Sequence, residues 1–348
     1  MKEIIALGLF SGGLDSLLAC RVISSLSIRV VALKFITPFF DDHLRKDEQT
    51  YRKSIRDKFD IDVHLVDISE GYIELLRKPQ HGFGKNFNPC IDCKIFMLSR
   101  ARQLMQEYDA AFLFTGEVLG QRPMSQRRDT LRVIERDSGC EDILLRPLCA
   151  KRLPITRPER EGLVDREMLY GFTGRGRKKQ IDLAARFGIR DYPTPAGGCI
   201  LTDKNLGMRL EQFYRRMSGE GDSEIRVNDI RLMLLGRQFQ LSHGVWLIIG
   251  RNQEENDRIT QLAEKGDWLM IMSERPGPAA LLRRAAQDGA GKSHETETVH
   301  FAAGLICHYA RKIDGRIEPG EVIVDTGEVR HTVLGVPPPK DSPLIRPL

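Results

Sequence analysis

The chain has 348 residues, 41% of them hydrophobic and 29% charged, with a formal net charge of +5. Such a composition suits a soluble protein with enough length for two domains, each with a sizeable core. No apolar run approaches the ~18 residues needed to span a bilayer, and Met1-Lys2-Glu3 leads straight into an apolar strand, so neither a membrane nor a signal peptide is expected and the location expected is cytoplasmic. Seven cysteines, an odd number, argue against a disulfide scaffold and for metal, cluster or catalytic thiols.

Ile4 to Phe10 is a continuous apolar run, the pattern of a strand buried on both faces of a parallel sheet. It passes into Ser11-Gly12-Gly13-Leu14-Asp15-Ser16 and then into Leu17–Ile23, which has helical spacing. Gly12 and Gly13 let the backbone turn tightly and approach a ligand. The N–H groups of the loop and first helical turn then converge on a site for an anion, with Ser11 and Ser16 as hydroxyl donors. Asp15 is placed to hold a magnesium ion or to cap the helix. Arg29–Phe35 reads as a second strand whose end borders the same crevice, which makes Leu33 and Phe35 candidates to line it.

Asp47–Phe59 has the pattern of a helix, Ile61–Asp67 of a strand and Tyr72–Leu76 of a short helix. The stretch from Gly82 to Pro89, rich in Gly and Asn, has no period and reads as a functional loop. It delivers Cys90-Ile91-Asp92-Cys93 onto the start of a helix, where the dipole favours thiolate. That pair alone fits metal ligands, a redox couple or plain packing. Ala111–Phe114 is another buried strand, ending in Thr115-Gly116-Glu117-Val118-Leu119-Gly120-Gln121; Thr115, Gly116 and Gln121 are candidates for the opposite wall of the crevice. From Arg122 to Arg190 basic residues crowd the sequence, as a phosphate-backbone footprint would require. Ile143–Leu148 reads as the last strand of the sheet, and Glu159–Tyr170 and Arg177–Phe187 as helices. A second stiff loop, Tyr192 to Asp203, carries Cys199 directly after Gly-Gly, an uncommon setting for a packing thiol; Cys20, Cys140, Cys149 and Cys307 lack such a setting and read as packing thiols.

Taken together, these motifs carry a family resemblance. SGGLDS after the first strand resembles the pyrophosphate-loop signature of the ATP pyrophosphatase superfamily, whose members adenylate a substrate oxygen and release pyrophosphate. Read with NPCIDCK, TGEVLGQRPMSQ and PAGGCILTD, it resembles the tRNA thiolation branch, the 4-thiouridine synthetases and 2-thiouridylases, over residues 4 to 205. The resemblance implies a doubly wound, mostly parallel α/β sheet, with ATP and Mg2+ at Ser11–Ser16 and adenine near Leu33 and Phe35. It also implies sulfur delivery by Cys90, Cys93 and Cys199, through a 4Fe-4S cluster held by these three or through a persulfide on Cys199. Asp92 and Asp203 are candidate acid/base groups, and the implied partners are tRNA and a sulfur donor, a cysteine desulfurase or inorganic sulfide.

From about Asp222 the pattern becomes α+β, with strands at Val245–Asn252, Trp268–Met272 and Glu321–Val324, helices at Glu254–Glu264 and Val299–Ala310, and a loop at Gly289–Glu297. Gly250-Arg251-Asn252 with Asn256-Asp257, Gly266-Asp267-Trp268 and Gly277-Pro278 resemble the RNA-binding module that ends NFACT proteins. No counterpart of the amino-terminal RNA-binding region of 4-thiouridine synthetases precedes the first strand, so this module is expected to grip RNA. The expected organisation is a nucleotide domain at 1–205, a linker at 206–224 and a smaller α+β domain at 225–348. The expected activity is ATP-dependent tRNA uridine thiolation. An adenylating ligase acting on a small carboxylate or amide is the alternative within the same loop family, and a non-catalytic RNA-binding factor the alternative outside it.

Overall fold

The computed structural model describes residues 3–192, 199–219, 224–241, 245–285 and 292–339. The chain divides into two units, Met1–Asp222 and Ser223–Leu348. In the first, the apolar runs become β1 (Ile5–Leu9), β2 (Arg29–Ile36), β3 (Asp62–Asp67), β4 (Phe112–Thr115) and β5 (Leu144–Leu145). All pair in parallel in the order β3-β2-β1-β4-β5. The chain leaves β1 toward β2 and β3, then returns to its other side for β4 and β5. Connections therefore diverge at the carboxyl ends of β1 and β4, which opens a crevice there.

Helices cover both faces. Ala6, Ala32, Phe112 and Phe114 pack in one core with Leu17, Leu18 and Val22 of α1 (Leu14–Ser24), with Ile55 of α2 (Glu48–Phe59) at its margin. On the other side, α3 (Ser69–Arg77) and α4 (Cys90–Leu104) pack together, α4 also meeting β1 and α5 (Arg128–Asp137). The expected helix over Glu159–Tyr170 is reduced to α6 (Arg157–Arg160). Gly162 turns left-handed (φ 71°), and the Arg166 guanidinium donates to the Ala150 and Leu153 carbonyls, so that beyond α6 only a short 3-10 turn at Arg166–Met168 remains helical. α7 (Lys178–Arg186) adds Leu183 and Ala184 to the α1 core. Where a linker was expected, residues 204–219 form α8 (Lys204–Gly219), docked on α3 by the Tyr214 hydroxyl, which donates to Ile73 O at 3.1 Å.

The second unit is an antiparallel sheet of β6 (Arg237–Gln240), β7 (Trp246–Ile249), β8 (Trp268–Met272), β9 (Ala280–Arg283), β10 (Gly320–Asp325) and β11 (Arg330–Gly335), in the order β11-β10-β8-β9-β7-β6. Helices α9 (Val227–Met233), α10 (Gln253–Leu262) and α11 (Lys292–Tyr309) accompany it. Ala302, Ala303 and Ile306 of α11 pack on Leu247, Met270, Leu282 and Val322. The helix expected from Val299 begins at Lys292, so residues 292–297 are helical rather than loop, and the rest of that expected loop lies outside the described residues. No helix among the described residues is long and apolar enough to cross a membrane.

One buried cation organises the end of this sheet. The Arg283 guanidinium donates to Asp229 (2.8 Å), Asp267 (2.6 Å) and Glu264 (2.8 Å). Its side chain and those of Asp229 and Asp267 are almost wholly buried. Arg283→Met leaves buried Asp267 without its cation and Asp229 with Arg284 alone, and is expected to cost about 3–5 kcal/mol, read by urea denaturation at pH 7.

Candidate functional site

The loop between β1 and α1 is shaped by Gly12, which is left-handed (φ 82°), and by Gly13, whose extended backbone caps α1. Ser16 Oγ donates to Gly13 O at 2.8 Å and lies 3.2 Å from Ser11 Oγ, so both hydroxyls line the mouth of the helix N-terminus. The sequence reading missed Lys34. It is 4% exposed, donates to Ser11 O at 2.9 Å and pairs with Asp41 at 2.6 Å. A side chain at Gly12 would stand 3.9 Å from its ammonium. The available signal was a lysine inside an otherwise apolar strand. Its neighbours Leu33 and Phe35 are 0% and 4% exposed. Their side chains fill the sheet core and offer a bound base almost no surface, which corrects the expectation that they line the crevice.

The turn after β4 closes on this loop. A Cβ on Gly116 would lie 2.4 Å from Asp15 O, so only glycine allows the two backbones to touch. Asp15 Oδ2 accepts from Gln121 Nε2 at 2.6 Å and faces Arg177 at 3.8 Å, whereas its Oδ1 is buried without a hydrogen bond. Gln121 thus meets the loop through Asp15. Thr115 Oγ1 donates to Glu117 at 3.2 Å, and the buried Glu117 carboxylate also receives Arg146 Nε at 3.1 Å and faces Lys94 of α4 at 3.7 Å. Burial pushes the Glu117 pKa up, but Lys94 and Arg146 outweigh it and hold the carboxyl below its ordinary value. Ser125 and Gln126, both buried, fold the turn back, with Gly120 N donating to Gln126 O at 2.7 Å.

Cys90 opens α4 and Cys93 follows one turn later. Asn88 Nδ2 donates to Cys90 Sγ at 3.3 Å. Cys199 reaches the same place from outside the helix, because Asn86 Nδ2 donates to Thr202 O at 2.5 Å and Leu201 is wholly buried. The three thiols fall within one another's electrostatic reach: Cys199 and Cys90 both act on Cys93. Buried Tyr72 of α3 completes the group, its hydroxyl donating to Cys93 Sγ, and burial and the three thiols push its own pKa well up. The expected thiolate does not form at Cys93. Burial raises its pKa to about 11 despite Tyr72 and Lys94, so desolvation overrides the helix dipole. Cys199 is also raised by burial, against Arg122. Among the described residues no group of three or more His, Cys, Asp or Glu is arranged to hold a metal ion.

Asp92 and Asp203 are engaged elsewhere. Asp92 accepts the backbone N–H groups of Gln80 (2.9 Å) and His81 (3.1 Å), which pins the loop before α4, and Asp203 accepts Leu206 N at 2.8 Å at the start of α8. Their geometry is that of loop anchors and corrects the acid/base expectation. Pro193–Gly198 of the Cys199 loop lie outside the described residues. Cys20, Cys140, Cys149 and Cys307 are buried. The basic tract is partly neutralised by its own segment, through Arg127–Asp129, Arg136–Asp137, Lys151–Glu167 and Arg160–Asp142 pairs.

The family described as "Thiamine biosynthesis protein (ThiI)" matches residues 3–152, which hold the serine-glycine loop, Cys90, Cys93 and the turn after β4. The family described as "NFACT protein RNA binding domain" matches residues 236–333. The chain is similar to ThiI in its first part and to the NFACT RNA-binding domain in its last. Cys199, Arg177 and α7 lie beyond the ThiI-like stretch. No curated protein matches the sequence. Among solved structures, a 4-thiouridine synthetase–RNA complex with bound ATP matches at 19% identity over 62% of this chain and 51% of that one, with a TM-score of 0.37. This chain thus spans about half the length of that synthetase. U34-tRNA thiolase NcsA from Methanococcus maripaludis, with its 4Fe-4S cluster, matches at 16% identity over 66% and 71%, with a TM-score of 0.34. These structural likenesses are too loose to bear on function.

Two outcomes follow for the first unit. Because Glu117 titrates below its ordinary 4.5, its contribution to stability is present above that pH and is lost as pH falls through the lowered value. Glu117→Gln is expected to cost about 1–3 kcal/mol at pH 7, since it leaves buried Arg146 with Glu135 as its remaining carboxylate partner, with the deficit shrinking toward pH 3 in denaturation curves. In the reduced, metal-free protein, exposed Cys199 is expected to react first with iodoacetamide and half-buried Cys93 much later, as mapped by peptide mass spectrometry.

Proposed function

We propose that this chain is an ATP-dependent tRNA uridine thiolase. The observation that carries the reading is the meeting of Cys90, Cys93 and Cys199 around Tyr72 in the same unit as the loop at Ser11–Ser16. A ligase for a small carboxylate leaves those three thiols without a task. ThiI similarity over the loop and the cysteine pair, and similarity of the last part to an RNA-binding domain, support the same reading.

In this reading the loop amides, Ser11, Ser16 and Lys34 hold the β- and γ-phosphates of ATP, and Asp15 takes the magnesium ion. A uracil carbonyl oxygen attacks the α-phosphorus and pyrophosphate departs, its growing charge met by the loop amides; a magnesium ion held at Asp15 would add positive charge there when bound. The adenylated oxygen is then a good leaving group, which a sulfur nucleophile displaces as AMP. Cys90, Cys93 and Cys199 are the residues that would hold a 4Fe-4S cluster, which, when bound, supplies sulfide at an iron without a protein ligand. Three thiols are the ligand type such a cluster takes, with the carboxylates of Asp92 and Asp203 turned to backbone amides, and they would have to draw closer together to hold it. Without a cluster, a persulfide on Cys199 gives up its outer sulfur, Cys90 or Cys93 closes a disulfide with it, and an external thiol reduces that disulfide. Tyr72 orients Cys93 in either case. The second unit grips the RNA.

The test joins two measurements. Anaerobic purification is expected to give about four irons and four sulfides per chain, lost in Cys90→Ala, Cys93→Ala and Cys199→Ala; an iron-free protein active with a persulfide donor selects the cysteine route. Mass spectrometry of tRNA nucleosides from cells lacking the chain is expected to show one thiolated uridine missing. A full set of thiolated nucleosides there would overturn the proposal.

A further inference from the structure

Asp15 stands in an arrangement that the stretch similar to ThiI does not contain. Gln180 of α7 is 1% exposed, and its Nε2 donates to Gln121 Oε1 at 3.1 Å. Gln121 Nε2 in turn donates to Asp15 Oδ2 at 2.6 Å. Two amides in series therefore fix one carboxylate oxygen, and Arg177, at the N-terminus of the same helix α7, faces that oxygen too. The other oxygen, Asp15 Oδ1, is buried without a hydrogen-bond partner. A buried carboxylate oxygen left unmet is costly, so a site that keeps it so is prepared for a cation or donor from outside the chain. Gln180 Oε1 is likewise buried and unmet.

The direction of the relay is set by chemistry. Asp15, when ionised, only accepts, so Gln121 must turn its NH2 group toward it. That leaves the Gln121 carbonyl facing α7, where only a donor will serve, and Gln180 presents its NH2 group. The relay therefore fixes the rotamer of Asp15, with Oδ2 engaged and Oδ1 presented. A leucine at 180 removes the donor, and a glutamate would face Gln121 Oε1 with a second acceptor.

We propose that Gln180 is a positioning residue for the metal–nucleotide complex: acting through Gln121, it turns Asp15 so that Oδ1 is presented to the magnesium ion that accompanies ATP. The inference rests on the reading of the loop as an ATP site and adds to it a residue from a helix beyond the ThiI-like stretch. Outer partners of metal-binding carboxylates typically change metal affinity by ~10–100-fold.

The experiment titrates Mg2+ against ATP binding by calorimetry in the full chain, comparing wild type with Gln180→Leu, Gln180→Glu and Asp15→Asn, and records melting temperatures in parallel. Gln180→Leu and Gln180→Glu are expected to raise the Mg2+ concentration for half-maximal ATP binding by about tenfold or more, with metal-free ATP affinity within about twofold of wild type. Asp15→Asn is expected to abolish the Mg2+ dependence. An unchanged Mg2+ midpoint in both Gln180 variants overturns the proposal while leaving the ATP site intact. Equal loss with and without Mg2+, with a lowered melting temperature, overturns it too, because Gln180 is then a packing residue. If wild type binds no ATP at any Mg2+ concentration, the ATP reading fails, and the inference with it.

Discussion

The carboxyl end of β4 is where the first unit is held together. Gly116 admits the backbone of Asp15 at a distance that no side chain would tolerate, and the next residue, Glu117, sends a buried carboxylate toward Lys94 on the cysteine-bearing helix. Two loops far apart in sequence are thereby locked to one strand end. Without the contact at Gly116, the serine-glycine loop loses the wall that faces it. Without Glu117, buried Arg146 keeps Glu135 as its remaining carboxylate partner, and Lys94 loses the group that draws it back from the thiols.

Much of the site's chemistry follows from how buried polar groups are met. Lys34 is held between Ser11 O and Asp41, and Asp92 by two backbone amides, so each is set in place before any ligand arrives. Cys93 shows the opposite balance. Its helix N-terminus and Lys94 favour thiolate, yet desolvation prevails and the sulfur stays protonated. A thiol in that state is protected until a metal or a persulfide displaces the proton.

The fold of the first unit was legible because its strands are buried on both faces and carry unbroken apolar runs, as in Ile4–Phe10. The sequence also marked the loops that matter, through glycine, asparagine and proline clusters. It misassigned Leu33 and Phe35, since an apolar residue beside a crevice and one inside the sheet look alike in one dimension. Asp92 and Asp203 misled for a related reason: a carboxylate near a cysteine in sequence can turn to a backbone amide instead. Lys34 and the Gln180–Gln121 contact depend on pairings across 23 and 59 residues, which no local pattern encodes. In the second unit β6 and β11 escaped notice because polar residues break up their apolar pattern, and β9 because it is a brief apolar run closed by Arg283.

The docking of α8 on α3 carries a mechanical meaning. The chain path from Ser223 back to Cys199 runs along α8, and Tyr214 fastens that helix to Ile73, the residue next to Tyr72. A pull arriving along the chain is therefore taken up at α3 before it reaches Cys199. The fastening combines that hydrogen bond with the packing of the buried Tyr214 ring beside Phe87. The same helix thus anchors Cys93 through one residue and the tether through its neighbour, so tension on the chain and the setting of the thiols share a single pivot.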